Sequence, residues 1–453
     1  MSRVGRNEYT LRALRDGDEA GQLQFDPDSD SFSFDYAPGW AGRADAFQLS
    51  PHITYNQRAN AVSVRRFIQN LLPEGQALDV AAAFANVSKS NTFALVRALA
   101  RESAGALRFL PLTEAPPTEA QRRLVTFKEL QLRIDERDRQ PFAIWDGKVR
   151  ISVAGYQDKL LVMREGQELY LVDGTLSSTY ILKPPPRNLY LPHMVANEHF
   201  CMQLANRIGV AREKTEWAAR VDILRVPSPV LCVERFDRRL LEGGMRSVHI
   251  LDACQALDRP VDHKYECNIG SGADVSHIRD GVSFQALGAL RTAGFLANAA
   301  IDVRQIARWG ILTLLLGNSD AHAKNLSFFA RGSLLSVAPF YDLGCTAIYD
   351  ADRIKHDLAM AFGDEFGLAR IKAFALADYC ERLGWPRRAF SRELKALCRL
   401  ARQEAAIQAT DGIYAGEERA IVDAVAQFIT RQANLLEPMA QDISRFAADN
   451  FAD

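Results

Sequence analysis

Residues Gly317-Asn318-Ser319-Asp320-Ala321-His322-Ala323-Lys324-Asn325 set a carboxylate and a carboxamide five positions apart. Apolar residues at Val303, Ile306, Ala307, Gly310, Ile311 and Leu314 precede them at helical spacing, and Gly317 suits the end of that helix. Two strand-like runs follow, Leu326–Ala330 and Leu334–Ala338, joined by Arg331-Gly332-Ser333. The second run leads into Phe340-Tyr341-Asp342-Leu343-Gly344. A tight hairpin would return Asp342 beside the Asp320 loop. Phosphoryl transfer needs such a set. One carboxylate orients the attacking hydroxyl and accepts its proton, while an amide oxygen and a second carboxylate hold Mg²⁺ against nucleotide phosphates. Asp320 is then the candidate base, with Asn325 and Asp342 as candidate metal ligands.

A polar surface loop with a turn-making Asp also carries Asp-x-x-x-x-Asn, and alone the pattern favours that reading. Protein kinases combine it with a hairpin and Asp-Phe-Gly. Here the spacing matches, Asp342-Leu343-Gly344 supplies the second element, and Asn318-Ser319 replaces the usual His-Arg. The three features in register favour catalysis. Lys183 ends the strand-like Thr179-Tyr180-Ile181-Leu182, the position of a phosphate-binding lysine, although any strand edge can end in Lys. Glu198 lies along the apolar positions of the next helical stretch. Either it is buried and pairs with a cation such as Lys183, or it sits at the edge of that face and reaches water.

Ser152-Val153-Ala154-Gly155-Tyr156-Gln157-Asp158-Lys159 lies between two strand-like runs. Its N–H groups could cradle phosphates, but on spacing alone a plain hairpin turn is the favoured reading. Val233-Glu234-Arg235-Phe236-Asp237-Arg238 reads as an inter-lobe hinge or as an edge strand with solvated charges. His322 would position the base or substrate, or simply bond its loop neighbours. His193 and His199, six apart, do not make a helical zinc pair, and no Gly-x-Ser-x-Gly occurs.

The elements that must position these residues follow from the rest of the pattern. At 453 residues the chain spans about two to four domains at roughly 100–200 residues each. A hydrophobic fraction of 48% and a charged fraction of 25% exclude disordered and fibrous classes. No apolar run has the length of a membrane span, and the start lacks a secretory core. Seven Cys without short paired spacing point to reduced thiols in a cytoplasm. A net charge of −1 limits nucleic-acid contact to a local patch. Residues 8–36 alternate as a small antiparallel meander, followed by helices near 61–72 and 80–101. Pro116-Pro117 marks a linker, and a helical or mixed connector runs to about 145. Strands are expected at 148–153, 159–164, 168–172, 179–183 and 230–236, with a helix over 194–208 stopped by Gly209. Beyond 240 the pattern is mainly helical, apart from 326–343. The expected architecture is α+β and two-lobed, with an N-terminal subdomain over 1–118, a kinase N-lobe-like region over 119–238, a helical C-terminal lobe over 239–453, and a cleft between the lobes.

Several segments together resemble the HipA family, the kinase toxins of HipBA-type toxin–antitoxin modules. Ile151–Lys159 is similar to the family's SVAGAQEK segment and Ile181-Leu182-Lys183-Pro184 to its IIKLP strand. Asn197-Glu198 with Cys201 and Leu204-Ala205 resembles its NE-helix. Val233–Arg238 matches VERFDR, and Asp252–Leu257 resembles a D-x-CQ helix. Lys264-Tyr265-Glu266, Gly317–Asn325 (GNTDAHAKN) and Pro339–Leu343 (TPLYDI) are also similar. Near the start, Asn70–Glu74 and Ser103–Ala106 fit the NLLP and VGA patches.

The resemblance implies a serine/threonine-protein kinase fold of HipA type, using ATP and Mg²⁺. Asp320 would be the base, and Asn325 and Asp342 the metal ligands. Nucleotide contacts would come from Ser152, Val153, Ala154, Gly155, Lys159, Lys183, Glu234, Phe236, His322, Lys324, Asn325, Tyr341 and Asp342. Ser152 would be autophosphorylated, which ejects the phosphate loop and switches the kinase off. The family's best-known substrate is glutamyl-tRNA synthetase. The partner would be a small helix-turn-helix, HipB-like antitoxin, which contributes most of the operator-DNA contact. Tyr156 and Asp158 depart from the phosphate-loop pattern, and Pro184–Met194 is short and Pro-rich where substrate contact is expected. A non-catalytic corepressor and a small-molecule kinase are the competing functions.

Overall fold

The computed structural model describes residues 7–150, 157–242, 244–270, 272, 274–446 and 451. They form two compact units. The first comprises Met1–Pro184, Leu224–Val261 and Phe328–Leu335, and the second Pro185–Ile223, Asp262–Ser327 and Ser336–Asp453.

In the first unit, β1 (Thr10–Arg15), β2 (Asp18–Asp26) and β3 (Ser31–Tyr36) make the expected meander, and β4 (Arg108–Pro111) adds to its β1 edge. Alternation buries Leu11, Ala13, Leu23, Phe32 and Phe34 on one face. Helices Ala61–Gln69, Gly75–Ala85 and Thr92–Leu99 follow. The single helix expected over 80–101 is thus two. Asn86, left-handed at φ 53°, ends one helix, and the Asn91 side chain accepts from Ala94 N–H to start the next.

The connector is mixed: it supplies an edge strand, β5 (Ala120–Val125), then the Thr126-capped helix Phe127–Asp135 and a small hairpin, β6 (Ile144–Trp145) and β7 (Lys148–Val149). With β8 (Leu160–Glu165), β9 (Glu168–Gly174), β10 (Tyr180–Lys183), β11 (Val221–Arg225) and β12 (Pro229–Glu234), β5 forms a sheet ordered β11-β12-β10-β8-β9-β5. One core of Leu130, Phe142, Trp145, Leu160, Val162, Leu171, Leu182 and Val230 packs against it. Where mainly helical structure is expected from about 240, β13 (Arg238–Leu241) pairs antiparallel with β14 (Gly244–Ser247). Gly243-Gly244 after a short run is a hairpin signal that outweighs the helical surroundings. β15 (Ile250–Asp252), β16 (Ser327–Arg331) and β17 (Leu334–Val337) form a further sheet, with Gly332 turning the expected hairpin.

The second unit is mainly helical. Helix Met194–Glu213 runs through Gly209, the predicted stop, and ends at left-handed Lys214. Gly209 is needed for close packing instead, since a Cβ there would lie 2.3 Å from the Thr215 carbonyl oxygen. Helix Ala299–Leu316 starts at Asn298, which caps Ile301 N–H, and ends at Gly317 in the left-handed region, as expected. Its Arg308 is fully buried, lies 4.3 Å over the Trp217 ring, and bonds Glu213 and Glu393 at 2.6 Å each. This one guanidinium joins three helices, 194–213, 299–316 and Arg387–Ala409. Helix Glu418–Ile443 packs along the last of these. Among the described residues no helix is long and apolar enough to cross a membrane. All seven cysteines are free thiols, six of them buried.

Candidate active site

The site is built where the buried helix Ala299–Leu316 ends. Gly317 turns the chain, so Asn318–Asn325 emerges as a loop anchored to the core, with Asn318, His322, Lys324 and Asn325 buried. Asn318, which with Ser319 stands where protein kinases carry His-Arg, has a visible task. Its side-chain oxygen accepts from the Asp320 N–H at 3.1 Å, and its amide nitrogen reaches the Asp342 carbonyl at 3.5 Å. One carboxamide therefore spans the backbones of both candidate carboxylates. The hydroxyl of Thr346, four residues beyond Asp342, accepts from Ser319 N–H at 2.8 Å and donates to the Gly317 carbonyl at 2.8 Å.

The hairpin brings back the second segment. Phe340 is fixed by backbone bonds of 2.8 Å to Trp217 and Ala219. The next residue, Tyr341, donates to the Lys324 carbonyl at 2.5 Å and exchanges a bond of 2.7 Å with Ser327. Asp342 itself is left-handed at φ 52°, which suits Asp better than most side chains. The buried Cys345 beyond it is held by Asn197, whose side-chain oxygen accepts from Cys345 N–H at 2.8 Å. Burial pushes the Cys345 thiol up to about 12, which makes it an inert packing group.

Asn325 donates its amide N–H to the Asp320 carbonyl at 2.8 Å, so its amide oxygen is the end that remains for a cation. Asp320 is the exposed member, at 61% for its side chain. Its Oδ1 accepts from the Tyr265 hydroxyl at 2.7 Å, and His322 Nε2 lies 4.0 Å away. Sequence reasoning gave Tyr265 no role; 55 positions separate it from Asp320, and no spacing signal joins them. Asp320, Asn325, Asp342, His322, Lys324 and Tyr341 thus belong to one assembly of loop segments.

Oxygen donors from one amide and one carboxylate suit Mg²⁺, which takes one or two carboxylates and completes its shell with phosphate oxygens and water. Among the described residues no group of three or more His, Cys, Asp or Glu is placed to hold a metal ion.

The remaining candidates lie in the first unit or, for Glu198, in helix Met194–Glu213 of the second. Lys183, at the end of β10 opposite Leu231 of β12, and Lys159, just before β8, are both buried. Glu234, the last residue of β12, and Phe236, in the turn that follows, are both half-buried. Phe236 meets Phe329 edge-on at 6.0 Å. β12 lies between β11 and β10, and Arg235, Asp237 and Arg238 are buried, which excludes a solvated edge strand. Glu198 in helix Met194–Glu213 is buried, so the water-reaching reading fails. Ser152, Val153, Ala154 and Gly155 lie outside the described residues.

Residues 151–406 match the family model described as HipA-like C-terminal domain, and residues 11–110 that described as HipA N-terminal domain. The chain is 40% identical over 382 residues to the serine/threonine-protein kinase toxin HipA of Shewanella oneidensis, covering 84% of each chain. It is 31% identical over 389 residues to Y4mE of Sinorhizobium fredii, covering 83% of this chain and 86% of that protein. Its fold is similar to the Shewanella oneidensis HipA solved with HipB and operator DNA, at a TM-score of 0.85 and 34% identity over 97% of this chain and 100% of that one.

Proposed function

The chain belongs to the HipA family, with an α+β, protein-kinase-like fold and serine/threonine-protein kinase activity, and from that premise we propose that it is the ATP-dependent toxin of a HipBA-type module. The observation that carries this reading is the Asn318 bridge between Asp320 and Asp342, which ties the base candidate to the metal-ligand candidate. Asp320 orients a protein Ser or Thr hydroxyl and takes its proton as the oxygen bonds phosphorus. Mg²⁺-bound ATP would supply the transferable phosphoryl group, with the γ-phosphorus to bridging-oxygen bond breaking and ADP leaving. Asn325 and Asp342 would hold the metal, and Lys183 and Lys159 would neutralise phosphate charge. Glu234 and Phe236 would line the adenine, with His322, Lys324 and Tyr341 in the nucleotide-binding set.

Ser152 is the proposed autophosphorylation site. A phosphate there adds about −1.5 to −2 charges where nucleotide phosphates would bind, and like-charge repulsion turns the kinase off. The functional division is an N-terminal subdomain over 1–118, a nucleotide-binding region over 119–238 and a catalytic region over 239–453. A small helix-turn-helix antitoxin is the proposed partner; it carries the chain to operator DNA as corepressor, consistent with a net charge of −1 that gives this chain little global attraction to phosphate. Resemblance makes glutamyl-tRNA synthetase the first substrate to test. The cytoplasm is the proposed compartment, where seven free thiols are stable.

The test is transfer of labelled phosphate from ATP to the chain and to glutamyl-tRNA synthetase, with phosphopeptide mass spectrometry. Wild type should label Ser152 and a protein substrate, and Asp320→Asn should lose about 10²–10⁴-fold in rate. A variant that keeps full transfer would refute the assignment of Asp320. A wild-type chain that phosphorylates no protein but binds antitoxin would leave only a corepressor.

A further inference from the structure

The strongest feature outside the predicted set is the tyrosine that meets Asp320. Its backbone is fixed from both sides. Val282 N–H donates to the His263 carbonyl at 2.8 Å, Gly281 N–H to the Glu266 carbonyl at 3.1 Å, and Glu266 N–H to the Ala359 carbonyl at 3.0 Å. The Glu266 carboxylate accepts from Ala361 N–H at 2.7 Å and from Arg279 Nε at 2.7 Å. Gly281 lies so close that a Cβ there would fall 1.8 Å from the Tyr265 carbonyl oxygen. The Tyr265 ring meets His322 edge-on at 5.0 Å, and the Lys264 ammonium lies 5.3 Å over it. A ring held this firmly presents its hydroxyl at a fixed point.

That point is Asp320 Oδ1, 2.7 Å away. The opposite end of the frame holds the neighbouring residue, since the Ser319 hydroxyl donates to the Lys355 carbonyl at 2.8 Å. The segment from Lys355 to Ala361 therefore braces both Ser319 and Glu266, the chain neighbours of Asp320 and Tyr265. A carboxylate with 61% exposure, left to itself, would turn freely about its side-chain bonds. A donor on one oxygen stops that rotation and leaves Oδ2 to face an incoming hydroxyl.

We propose that Tyr265 is a positioning residue for phosphoryl transfer, acting through Asp320 by holding Oδ1 so that Oδ2 meets the substrate hydroxyl. This rests on the reading of Asp320 as the base. It assigns Tyr265 no contact with nucleotide, so its loss should alter turnover rather than ATP binding.

The experiment compares wild type, Tyr265→Phe, Tyr265→Ala, Asp320→Asn and the Tyr265→Phe/Asp320→Asn double variant, all as full chains. Steady-state transfer to a protein substrate gives kcat and KM for ATP, and long incubations with labelled ATP give the residual rates of the Asn variants. Thermal melting confirms that each is folded. Tyr265→Phe should lower kcat about tenfold with KM for ATP unchanged, and should add nothing to the loss in Asp320→Asn. Wild-type kcat in Tyr265→Phe alongside a loss in Tyr265→Ala would assign the ring to packing and overturn the proposal. An equal loss from Tyr265→Phe in both backgrounds would also overturn it, because the hydroxyl would then act without Asp320. An Asp320→Asn rate equal to that of an active wild type would overturn the reading of Asp320 as the base and this proposal with it, whereas a large loss in Asp320→Asn beside wild-type kcat in Tyr265→Phe would overturn the role of Tyr265 alone.

Discussion

Two groups of charged residues in this chain are put to opposite uses. In the first unit, Arg235, Asp237 and Arg238 expose only 1%, 6% and 3% of their side chains. Arg235 grips both Asp237 oxygens at 3.0 and 2.8 Å and also reaches Ser178 and the Ser103 carbonyl. Asp237 accepts from Gly105 N–H at 2.8 Å, and Glu102 accepts from both the N–H and hydroxyl of Ser178 at 2.8 Å. Burial opposes the charge on Asp237, but Arg235 and Arg238 outweigh it and hold the carboxyl well below the usual range. In the second unit, Asp320 has one anchored oxygen and an exposed body. A carboxylate enclosed by donors holds structure together, and one held by a single donor retains an oxygen for chemistry.

The largest expected effects set these two carboxylates against each other. Asp320→Asn should cut transfer by about 10²–10⁴-fold and leave the melting temperature unchanged. Asp237→Asn should do the reverse. It strips the negative charge from between two buried guanidinium groups, and about 3–5 kcal/mol of stability should go with it, read as a fall in the urea midpoint. If Asp237→Asn melts like wild type and Asp320→Asn does not, the division between structural and chemical carboxylates is wrong.

The next effect sharpens the comparison through pH. His249 of the first unit is stacked on Phe47 at 4.1 Å, bonded to the Leu49 carbonyl, and pushed down to about 4 by burial. An unfolded chain protonates this ring below about 6.5, but the folded one resists until about 4. Its contribution is therefore complete above 6.5 and is lost as pH falls toward 4, by up to about 3 kcal/mol. Asp237 acts in the same direction at lower pH, because its depressed carboxyl stabilises the fold above the ordinary carboxylate range and ceases to do so on acidification. Urea midpoints at pH 7 and 4.5 for wild type and His249→Gln isolate the histidine. The wild type should lose more on acidification than the variant, and equal losses would show that the ring is protonated in place.

How much of this was legible in sequence depended on the range of the interactions. The candidate catalytic loop could be read because helix, Gly317, Asp320–Asn325, hairpin and Asp342 follow one another locally, and each carries its own turn or period signal. The meander and the strand ending in Lys183 were readable for the same reason. Val233–Arg238 was not, because whether Arg235 and Asp237 are solvated depends on Glu102, Ser103, Gly105 and Ser178, more than 50 residues away. Tyr265 had no legible role for the same reason, since its partner Asp320 lies 55 positions away. Gly209 misled because the close approach of Thr215, not backbone freedom, demands a glycine there. The 120–125 strand is nearly all exposed at the sheet edge, so it lacks the apolar alternation that marks strands with a buried face.

The smallest effect concerns Asp342, which combines both uses of a carboxylate-bearing residue in one position. Its proposed function needs the side chain, and its backbone sits at φ 52°. Asp342→Ala and Asp342→Gly both delete the carboxylate, so both should lose transfer to a similar degree. They differ only in how well the replacement tolerates a left-handed backbone. Alanine there meets its own carbonyl, and glycine does not. Glycine should therefore be the more stable variant by about 1 kcal/mol, against the usual order in which glycine's greater freedom in the unfolded chain makes it the weaker residue. Equal urea midpoints would mean that the turn relaxes once the side chain is removed. Asp342 would then be held by its side-chain partners, and its backbone would not be fixed by the Asn318 and Cys345 anchors on either side.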